Sequence, residues 1–234
     1  MGTSGYRYWP GDVFPPKTSM DEALRLYSSA LKAVEMNRTF YQLPRASSID
    51  KWLTLVPSHF VFAVKIWRRL SHERKLIGIE KDWALFLDRL APLLSRNGVL
   101  LLQLPKTFPQ KLDRLENFLK IVPPNVRLAV EFRHTFWFSP PVYKLLKRYH
   151  AALVGVSAPG VPCVLDVRTA PFTYLRLHGP RAWYKDRYSM EELTPFLNAV
   201  RVALERGDVY VFFDNTIGGH AYWNALEFHT ALAR

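Results

Sequence analysis

The stretch from Lys81 to Pro105 decides the fold class. It opens with an amphipathic pattern over Lys81–Arg96, which ends at Asn97-Gly98 as helices commonly do, and it continues into the apolar run Val99-Leu-Leu-Leu-Gln-Leu-Pro105. A short run that is apolar at nearly every position is typical of a strand buried on both faces. The stretch therefore predicts one helix and one strand of a parallel sheet.

The same alternation extends outward over the whole chain. The strand-like runs are Ala33–Tyr41, Phe60–Trp67, Val99–Pro105, Arg127–His134, Ala152–Ser157, Phe172–Gly179 and Asp208–Thr216, with Met1–Gly5 as a candidate eighth. The helical patterns are Thr18–Leu31, Ser47–Val56, Lys81–Arg96, Gln110–Ile121, Pro140–Tyr149, Ser189–Glu205 and Ala221–Leu232. Thr18-Ser19-x-x-Glu22 resembles a capping box at the first of these helices. Only the connection Ser157–Pro171 has no convincing helix pattern.

Strands that alternate strictly with helices predict an all-parallel sheet. For 234 residues the economical closed form is a (β/α)8 TIM barrel, here a single domain over residues 1–234. A doubly wound open sheet is the alternative. The chain contains neither G-x-G-x-x-G nor a Walker-type loop, which disfavours that alternative.

Composition excludes several classes of protein. Hydrophobic residues make up 49% of the chain, which is ample for a core and excludes a disordered chain. The single cysteine, Cys163, excludes a disulfide framework and a cysteine-based zinc site. No apolar stretch is long enough to span a bilayer and no signal-peptide pattern is present, so we expect a cytoplasmic protein with no membrane partner. The formal charge of +12 is explained by solvated helix faces or, more specifically, by a polyanionic partner.

Polar side chains occur near the ends of otherwise apolar strands. They are Glu35, Lys65, Gln103, Glu131, Arg133, Arg176, His178 and Asp214. The second strand carries Glu35, Asn37, Thr39 and Tyr41 at alternate positions, and therefore on one face. In a parallel barrel these strand ends meet at one mouth, where buried charges must pair with each other or with a ligand. A structural salt-bridge network and a ligand pocket both fit, and the number of contributing strands favours the pocket.

The motifs around these strand ends also resemble a known family. They are Gly2-Thr-Ser-Gly-Tyr6 with Trp9 and Gly11, Val34-Glu-Met-Asn-Arg-Thr-Phe-Tyr41, Trp52, Pro57-x-x-Phe-x-Phe-Ala-Val-Lys65, Ser71-His72 with Leu76, Leu102-Gln-Leu-Pro105, Ala129-Val-Glu-Phe-Arg-His134, Tyr174-Leu-Arg-Leu-His-Gly179 and Phe213-Asp-Asn215. In order and over nearly the whole chain, these resemble the DUF72 (YecE-like) proteins. The resemblance implies a TIM barrel and, through structural likeness alone, a relation to metal-dependent DNA-repair nucleases. It implies no established activity.

The sequence departs from the family pattern at two strand ends. Where the family often has Asp after strand 6, this chain has Val156-Ser157-Ala158-Pro159, which weakens any mechanism that needs a carboxylate there. After strand 8 it has Asp214-Asn215 where Asn-Asn is common, so Asp214 is a compensating carboxylate.

The preferred interpretation is a TIM-barrel hydrolase acting on a phosphate-containing or nucleic-acid-related substrate. The candidate catalytic residues are Glu35, Glu131, His178 and Asp214, and the candidate substrate-binding residues are Arg7, Asn37, Tyr41, Lys65, Gln103, Arg133, Arg176 and Asn215. Glu131 and His178 would activate water and protonate the leaving oxygen. A divalent metal such as Mg²⁺ or Mn²⁺ stays open as a cofactor, since hard oxygen donors suit it, although no H-x-H or H-E-x-x-H spacing occurs.

Two alternatives remain. The first is a non-catalytic barrel that binds a small anionic or phosphorylated ligand or nucleic acid, and the second is a glycosidase that uses Glu35 and Glu131 as a carboxylate pair. Aromatic residues near the mouth either stack on a base or sugar or anchor loops; they are Tyr6, Tyr8, Trp9, Phe40, Tyr41, Trp67 and Trp137. Glu131→Gln is expected to leave folding intact and to separate an enzyme from a binding module by its effect on turnover.

Overall fold

The eight strands close into one parallel barrel in the order of the sequence. The structure, a computed structural model, describes residues 1–7, 9 and 11–233. The strands are β1 Gly2–Ser4, β2 Ala33–Met36, β3 Val61–Lys65, β4 Val99–Gln103, β5 Arg127–Glu131, β6 Ala152–Ser157, β7 Thr173–Leu177 and β8 Val209–Phe213. The helices are α1 Met20–Ala30, α2 Arg38–Tyr41, α3 Ala46–Leu55, α4 Glu80–Leu94, α5 Leu112–Lys120, α6 Pro140–Arg148, α7 Met190–Leu204 and α8 His220–Leu232. The predicted (β/α)8 TIM barrel is confirmed.

The first strand closes the barrel. In β1, Thr3 pairs with Val34 of β2 on one side and with Phe213 of β8 on the other. Gly2 is required for this approach, because a Cβ there would lie 1.7 Å from the backbone oxygen of Ala33. The Tyr27 hydroxyl of α1 links β1 to β2: it donates to the Ala33 oxygen at 2.8 Å and accepts from the Thr3 amide at 2.7 Å.

Helix starts follow the local capping chemistry. Ser19 precedes α1 and its side chain accepts from the Glu22 amide, as the sequence pattern indicated. Ser189 and Glu192 form a full capping box at the start of α7. Between β6 and β7 the described residues form no helix, as expected; instead the Thr169 hydroxyl accepts from the Leu153 amide and donates to the Ala151 oxygen.

Side chains along each strand alternate between the helices and the barrel axis. The larger buried cluster, which includes Phe62, Leu100 and Leu102, packs against the helices. A smaller cluster fills the barrel interior; it combines small or branched side chains with four aromatic rings, which belong to β7, β8 and the residue before β7. Its members Ala63, Leu101, Ala129, Tyr174 and Phe212 each stand two residues before a polar group: Lys65, Gln103, Glu131, Arg176 and Asp214. The polar strand ends are therefore the top layer of the barrel interior.

The second strand is shorter than the sequence predicted. β2 ends at Met36, and Arg38–Tyr41 form a helical turn, α2. The Thr39 hydroxyl holds this turn, donating to the backbone oxygens of Met36 at 2.6 Å and of Lys65 at 2.8 Å. The prediction that Glu35, Asn37, Thr39 and Tyr41 share a strand face is wrong: Glu35 and Thr39 are buried, and Tyr41 is 65% exposed.

The run Ala152–Ser157 has the bounds of β6 as predicted and, β2 aside, the other predicted strands extend one to three residues too far at one end or both. Arg133 and His134 lie beyond β5, His178 and Gly179 lie beyond β7, and Asp214 lies beyond β8. None of the helices in the described residues is both long and apolar enough to cross a membrane.

Candidate functional site

Arg176 is the centre of the polar layer. Its side chain is fully buried, and its Nη2 atom donates to Glu35 Oε1 at 2.6 Å and to Asp214 Oδ2 at 2.9 Å. Its Nε atom donates to Glu35 Oε2 at 2.9 Å, and Nη1 donates to Glu131. One guanidinium from β7 thus holds carboxylates that lie in β2, at the end of β5 and just after β8, and it binds Glu35 in the bidentate manner that suits arginine.

Neighbouring hydroxyls complete the acceptor sites of Glu35. Ser4 donates to Oε1 at 2.6 Å, and Tyr174 donates to Oε2 at 2.8 Å. The Asn37 amide in turn donates to the Ser4 hydroxyl at 2.7 Å. Both oxygens of Glu35 are therefore occupied by donors of the protein itself.

The other two carboxylates are held in the ionised form. Burial opposes the charge of Glu131, but Arg176 and then Arg133 outweigh it and hold its pKa well below the usual value. Burial likewise opposes the charge of Asp214, yet Arg176 and His178 lower its pKa. The pKa of Tyr174 is raised well above its ordinary value by burial and by the adjacent Glu35. Buried acids surrounded by arginines serve as anchors for those arginines rather than as proton donors.

His178 lies between Asp214 and two arginines. Its Nδ1 atom is 2.9 Å from Asp214 Oδ2, while its Nε2 atom lies 3.3 Å from Arg176 Nη1 and 3.4 Å from Arg133 Nη2. Arginine nitrogens can only donate, so Nε2 faces two donors while Nδ1 faces a carboxylate. The ring is completely buried.

The loop after β7 covers this histidine. The Trp183 ring packs on His178 with a centroid separation of 4.8 Å, and the Arg133 guanidinium lies 4.2 Å from the centre of the Trp183 ring. Gly179 makes the loop possible: its φ is +124°, and a Cβ there would lie 2.2 Å from the Ala182 oxygen. Tyr184 follows at the edge of the mouth and is half exposed.

Three adjoining cavities cross the barrel mouth, and together we call them the mouth groove. The outer cavity, of about 190 Å³, is lined by Gly5, Tyr6, Arg7, Met20, Glu35, Met36, Asn37, Arg38, Tyr41 and Trp52. The central cavity, of about 250 Å³, is lined by Ser4, Asn37, Phe40, Tyr41, Lys65, Tyr184, Asp214 and Thr216. The distal cavity, of about 400 Å³, is lined by Gln103, Pro105, Lys106, Arg133, Pro159, Gly160, Val161, Trp183 and Tyr184. Asn37 and Tyr41 join the first two cavities, and Tyr184 joins the last two.

Lys65 is the cation of the central cavity. Its Nζ atom lies 4.5 Å from the centre of the Phe40 ring, and it forms no ion pair with any described carboxylate. Burial, and next the charge of Arg176, lower its pKa to about 8. The side chain is thus poised between a cation and a free amine near neutral pH.

The predicted catalytic residues and most of the predicted binding residues come together at the mouth. Glu35, Glu131, His178 and Asp214 all belong to the network around Arg176. Of the predicted binding residues, Arg7, Asn37 and Tyr41 line the outer cavity, Lys65 the central one, and Gln103 and Arg133 the distal one. Arg176 itself is buried beneath them.

Some predicted positions lie elsewhere. The Asn215 amide nitrogen donates to the Asp186 oxygen at 2.9 Å and to Asn224 Oδ1 at 3.0 Å, so it holds a loop to α8 and does not line the groove. Trp137 is a core residue stacked on Phe132. Tyr8 lies outside the described residues.

Sequence reasoning missed several residues of the mouth, among them the groove cation Arg38. Trp52, Lys106, Trp183 and Tyr184 line the groove but follow no strand directly. For Trp183 and Tyr184 the available signal was Gly179. A glycine at a strand end indicates a tight turn, and a turn there can place the two aromatic rings that follow over the barrel mouth.

The carboxylates do not form a metal site. Within the described residues no three His, Cys, Asp or Glu side chains are grouped so that they could hold a metal ion. Arg176 occupies the point where Glu35, Glu131 and Asp214 converge, and a guanidinium and a divalent cation compete for the same oxygens. The divalent metal left open by the sequence therefore does not fit this arrangement.

Taken together, the fold and the site define a class: a (β/α)8 barrel with an arginine-centred polar layer beneath a cationic groove at the C-terminal mouth. The chain matches the family model described as "Protein of unknown function DUF72" over residues 1–234. It belongs to that family, as the sequence motifs indicated.

Known relatives agree with this assignment. The chain is 29% identical to the UPF0759 protein YunF of Bacillus subtilis, over 92% of this chain and 88% of that protein. It is 34% identical to the UPF0759 protein YecE of Escherichia coli K12, over 52% of this chain and 44% of that protein. A DUF72 family protein of Thermotoga maritima has a solved structure that covers 100% of this chain and 98% of its own, with a TM-score of 0.89 and 29% identity. A second, from Enterococcus faecalis, has a TM-score of 0.85 at 23% identity, covers 100% of this chain and 94% of its own, and supports the fold alone.

Proposed function

We propose that the chain is an enzyme that acts on a phosphorylated substrate bound along the mouth groove. The observation that carries the proposal is the excess of unneutralised cations in the groove. Arg7, Arg38, Lys65 and Lys106 line it, and none of them forms an ion pair with a described carboxylate. The acids in its lining, Glu35 and Asp214, are already held by Arg176.

The arrangement of these cations favours an elongated ligand. Arg7 and Arg38 lie in the outer cavity, Lys65 in the central one, and Lys106 with Arg133 in the distal one. Tyr41 and Trp52 line the outer cavity and offer ring faces to a nucleobase or similar flat group. A nucleotide or a short oligonucleotide matches this pattern of separated cations and one aromatic end.

The same charges disfavour the carboxylate-pair mechanism. A glycosidase needs one carboxylic acid whose pKa is raised so that it can protonate the leaving oxygen. Arg176 and Arg133 lower the pKa of Glu131, and both Glu35 oxygens accept hydrogen bonds from the protein. Lys65, with its pKa lowered to about 8, is the group facing the groove that is suited to exchange a proton near neutrality.

Phosphate-bearing ligands should bind through the two ends of the groove. We expect Arg7→Met and Lys106→Met each to weaken binding of a short oligonucleotide by about tenfold, the usual scale for loss of a charged hydrogen bond. A mononucleotide spans only one end, so it should respond to one of the two substitutions. Isothermal titration calorimetry on the folded chain measures the dissociation constants of the oligonucleotide and of the mononucleotide.

Lys81→Met is the matched control, because Lys81 is an exposed lysine in the first turn of α4 that lines none of the three cavities. The Lys81→Met variant should bind the oligonucleotide with the same affinity as the unmodified protein. Equal affinities for a nucleotide and for its unphosphorylated nucleoside would contradict the proposal. A groove that binds nucleotides but turns over no phosphorylated compound would leave a binding module instead of an enzyme.

A further inference from the structure

Lys65 differs from Arg176 and Arg133 in forming no ion pair with any carboxylate in the described part of the chain. It ends β3, where its inward position places it on the top layer of the barrel interior. Arg176 is paired with acids that lie in or just after three other strands, and Arg133 is paired with Glu131. The amino group of Lys65 instead lies against the face of the Phe40 ring and lines the central cavity.

The charges that act on Lys65 come from four other strands or the residues just after them. Glu35 from β2, Glu131 from β5 and Asp214 after β8 favour its cationic form, while Arg176 from β7 disfavours it. His72, in the turn after β3, packs edge-to-face with the Phe40 ring at a centroid separation of 4.8 Å. The three acids are largely neutralised by Arg176, so burial dominates and lowers the pKa of Lys65 to about 8.

That shift makes a free amine abundant at ordinary pH. At pH 8 about half of the Lys65 side chains are uncharged, whereas a solvated lysine with a pKa of 10.5 is only about 0.3% uncharged. An uncharged lysine in a cavity is the usual form of an amine nucleophile. A lysine whose only role was to bind an anion would bind it more tightly if it stayed fully charged.

We propose that Lys65 is a catalytic nucleophile that forms an imine with a phosphorylated aldehyde or ketone bound in the mouth groove. The proposal rests on the proposed function, since the phosphate group is what the flanking cations hold. The carbonyl carbon would occupy the central cavity beside Lys65, and the phosphate would reach Lys106 and Arg133 in the distal cavity, which Tyr184 joins to it. A cavity of about 250 Å³ accommodates a few carbon atoms of an open-chain sugar phosphate.

The step balances without a further reagent. The lone pair of Nζ forms a bond to the carbonyl carbon, and the π electrons of the C=O bond move to oxygen, which takes one of the two amine protons to give a carbinolamine. Nitrogen then loses its second proton as its lone pair forms the C=N bond, and the carbon loses hydroxide, which leaves with that second proton as water. The products are the imine and one water molecule, and no atom is oxidised or reduced.

Reductive trapping tests this directly on the whole chain. The protein is incubated with glycolaldehyde phosphate and sodium cyanoborohydride, and the labelled lysines are identified by peptide mass spectrometry. We expect one adduct per chain, at Lys65, formed about tenfold or more faster than at any exposed lysine. The rate at Lys65 should rise with pH through a midpoint of about 8. Labelling spread over the exposed lysines would overturn the proposal.

Two variants complete the design. Lys65→Arg keeps the positive charge over Phe40 but cannot form the imine, so the adduct should disappear while the thermal melt and the calorimetric affinity for inorganic phosphate are retained. Lys81→Arg changes an exposed lysine and should leave the Lys65 adduct unchanged. If Lys65→Arg were to lose its cooperative melt, the pH profile of labelling in the unmodified chain would still decide the question, since a midpoint near 10.5 contradicts the proposal.

The neutral probe glycolaldehyde separates the two proposals. Faster labelling by the phosphate probe supports both. Equal labelling of Lys65 by the two probes supports the nucleophile and contradicts the phosphate-binding groove. Calorimetric binding of glycolaldehyde phosphate without any adduct at Lys65 supports the groove and contradicts the nucleophile.

Discussion

Replacing Arg176 by methionine is expected to lower the free energy of unfolding by about 4 kcal/mol, the scale for breaking a buried ion pair. The substitution keeps an unbranched apolar side chain but leaves Glu35, Glu131 and Asp214 buried together without their shared cation. Urea titration followed by circular dichroism at pH 7 measures the change. The deficit should shrink at acidic pH, where protonation relieves the repulsion between the carboxylates.

Arg181→Met is the matched control for this experiment. Arg181 also pairs with two acids, Glu192 and Asp186, but its side chain is 66% exposed. Solvent screens such pairs, so we expect a change within about 0.5 kcal/mol. Similar losses for the two arginines would mean that the buried network adds nothing beyond an ordinary surface pair.

Glu131→Gln is expected to cost about 3 kcal/mol of folding stability at neutral pH. Glu131 is buried and pairs with both Arg176 and Arg133, so removing its charge leaves two arginines facing His178 with one acid fewer between them. The sequence led us to expect that this substitution leaves folding intact, and the structure argues against that expectation. Glu116→Gln is the control, because Glu116 pairs with exposed Arg148 and Lys120 on the surface.

The stability difference between Glu131→Gln and the unmodified chain should depend on pH. The folded-state pKa of Glu131 lies well below its ordinary value of 4.5, so the carboxylate contributes its full stabilisation above pH 4.5. That contribution is lost as the pH falls from 4.5 through the folded-state pKa. Urea midpoints measured between pH 7 and pH 3 should therefore converge for the two proteins. A difference in urea midpoint that stays constant over this range would contradict the conclusion that the ionised Glu131 carboxylate stabilises the fold.

The barrel and its polar layer could be predicted because both follow from local alternation. In β4 and β5, the consecutive apolar residues 99–102 and 128–130 predict burial on both faces. The inward series Leu101-to-Gln103 and Ala129-to-Glu131 predicts where the polar layer begins. The same reasoning placed Arg176 and His178 at the mouth. Spacing of two along a buried strand is enough to identify which side chains face the barrel axis.

The remainder of the site depends on contacts between distant segments. Thr39 turns the chain into α2 because its hydroxyl meets the Lys65 backbone across β2 and β3, a contact that no local pattern encodes. Trp183 reaches His178 only through the positive φ of Gly179. The absence of a carboxylate beside Lys65 among the described residues is a property of the assembled mouth, because the acids of the other strands turn toward Arg176.

The arginine at the centre of the barrel also constrains how the chain reaches its native state. Glu35 and Arg176 are 141 residues apart in sequence. The barrel closes only when β1 pairs with β8, which brings Thr3 opposite Phe213. A partly assembled barrel would leave Arg176 or its acids either hydrated or buried without a partner, and both conditions disfavour a dry intermediate core. Such long-range pairing makes folding slow. The network thus promotes an all-or-none transition, in which a half-barrel gains little from collapse until β8 has been synthesised.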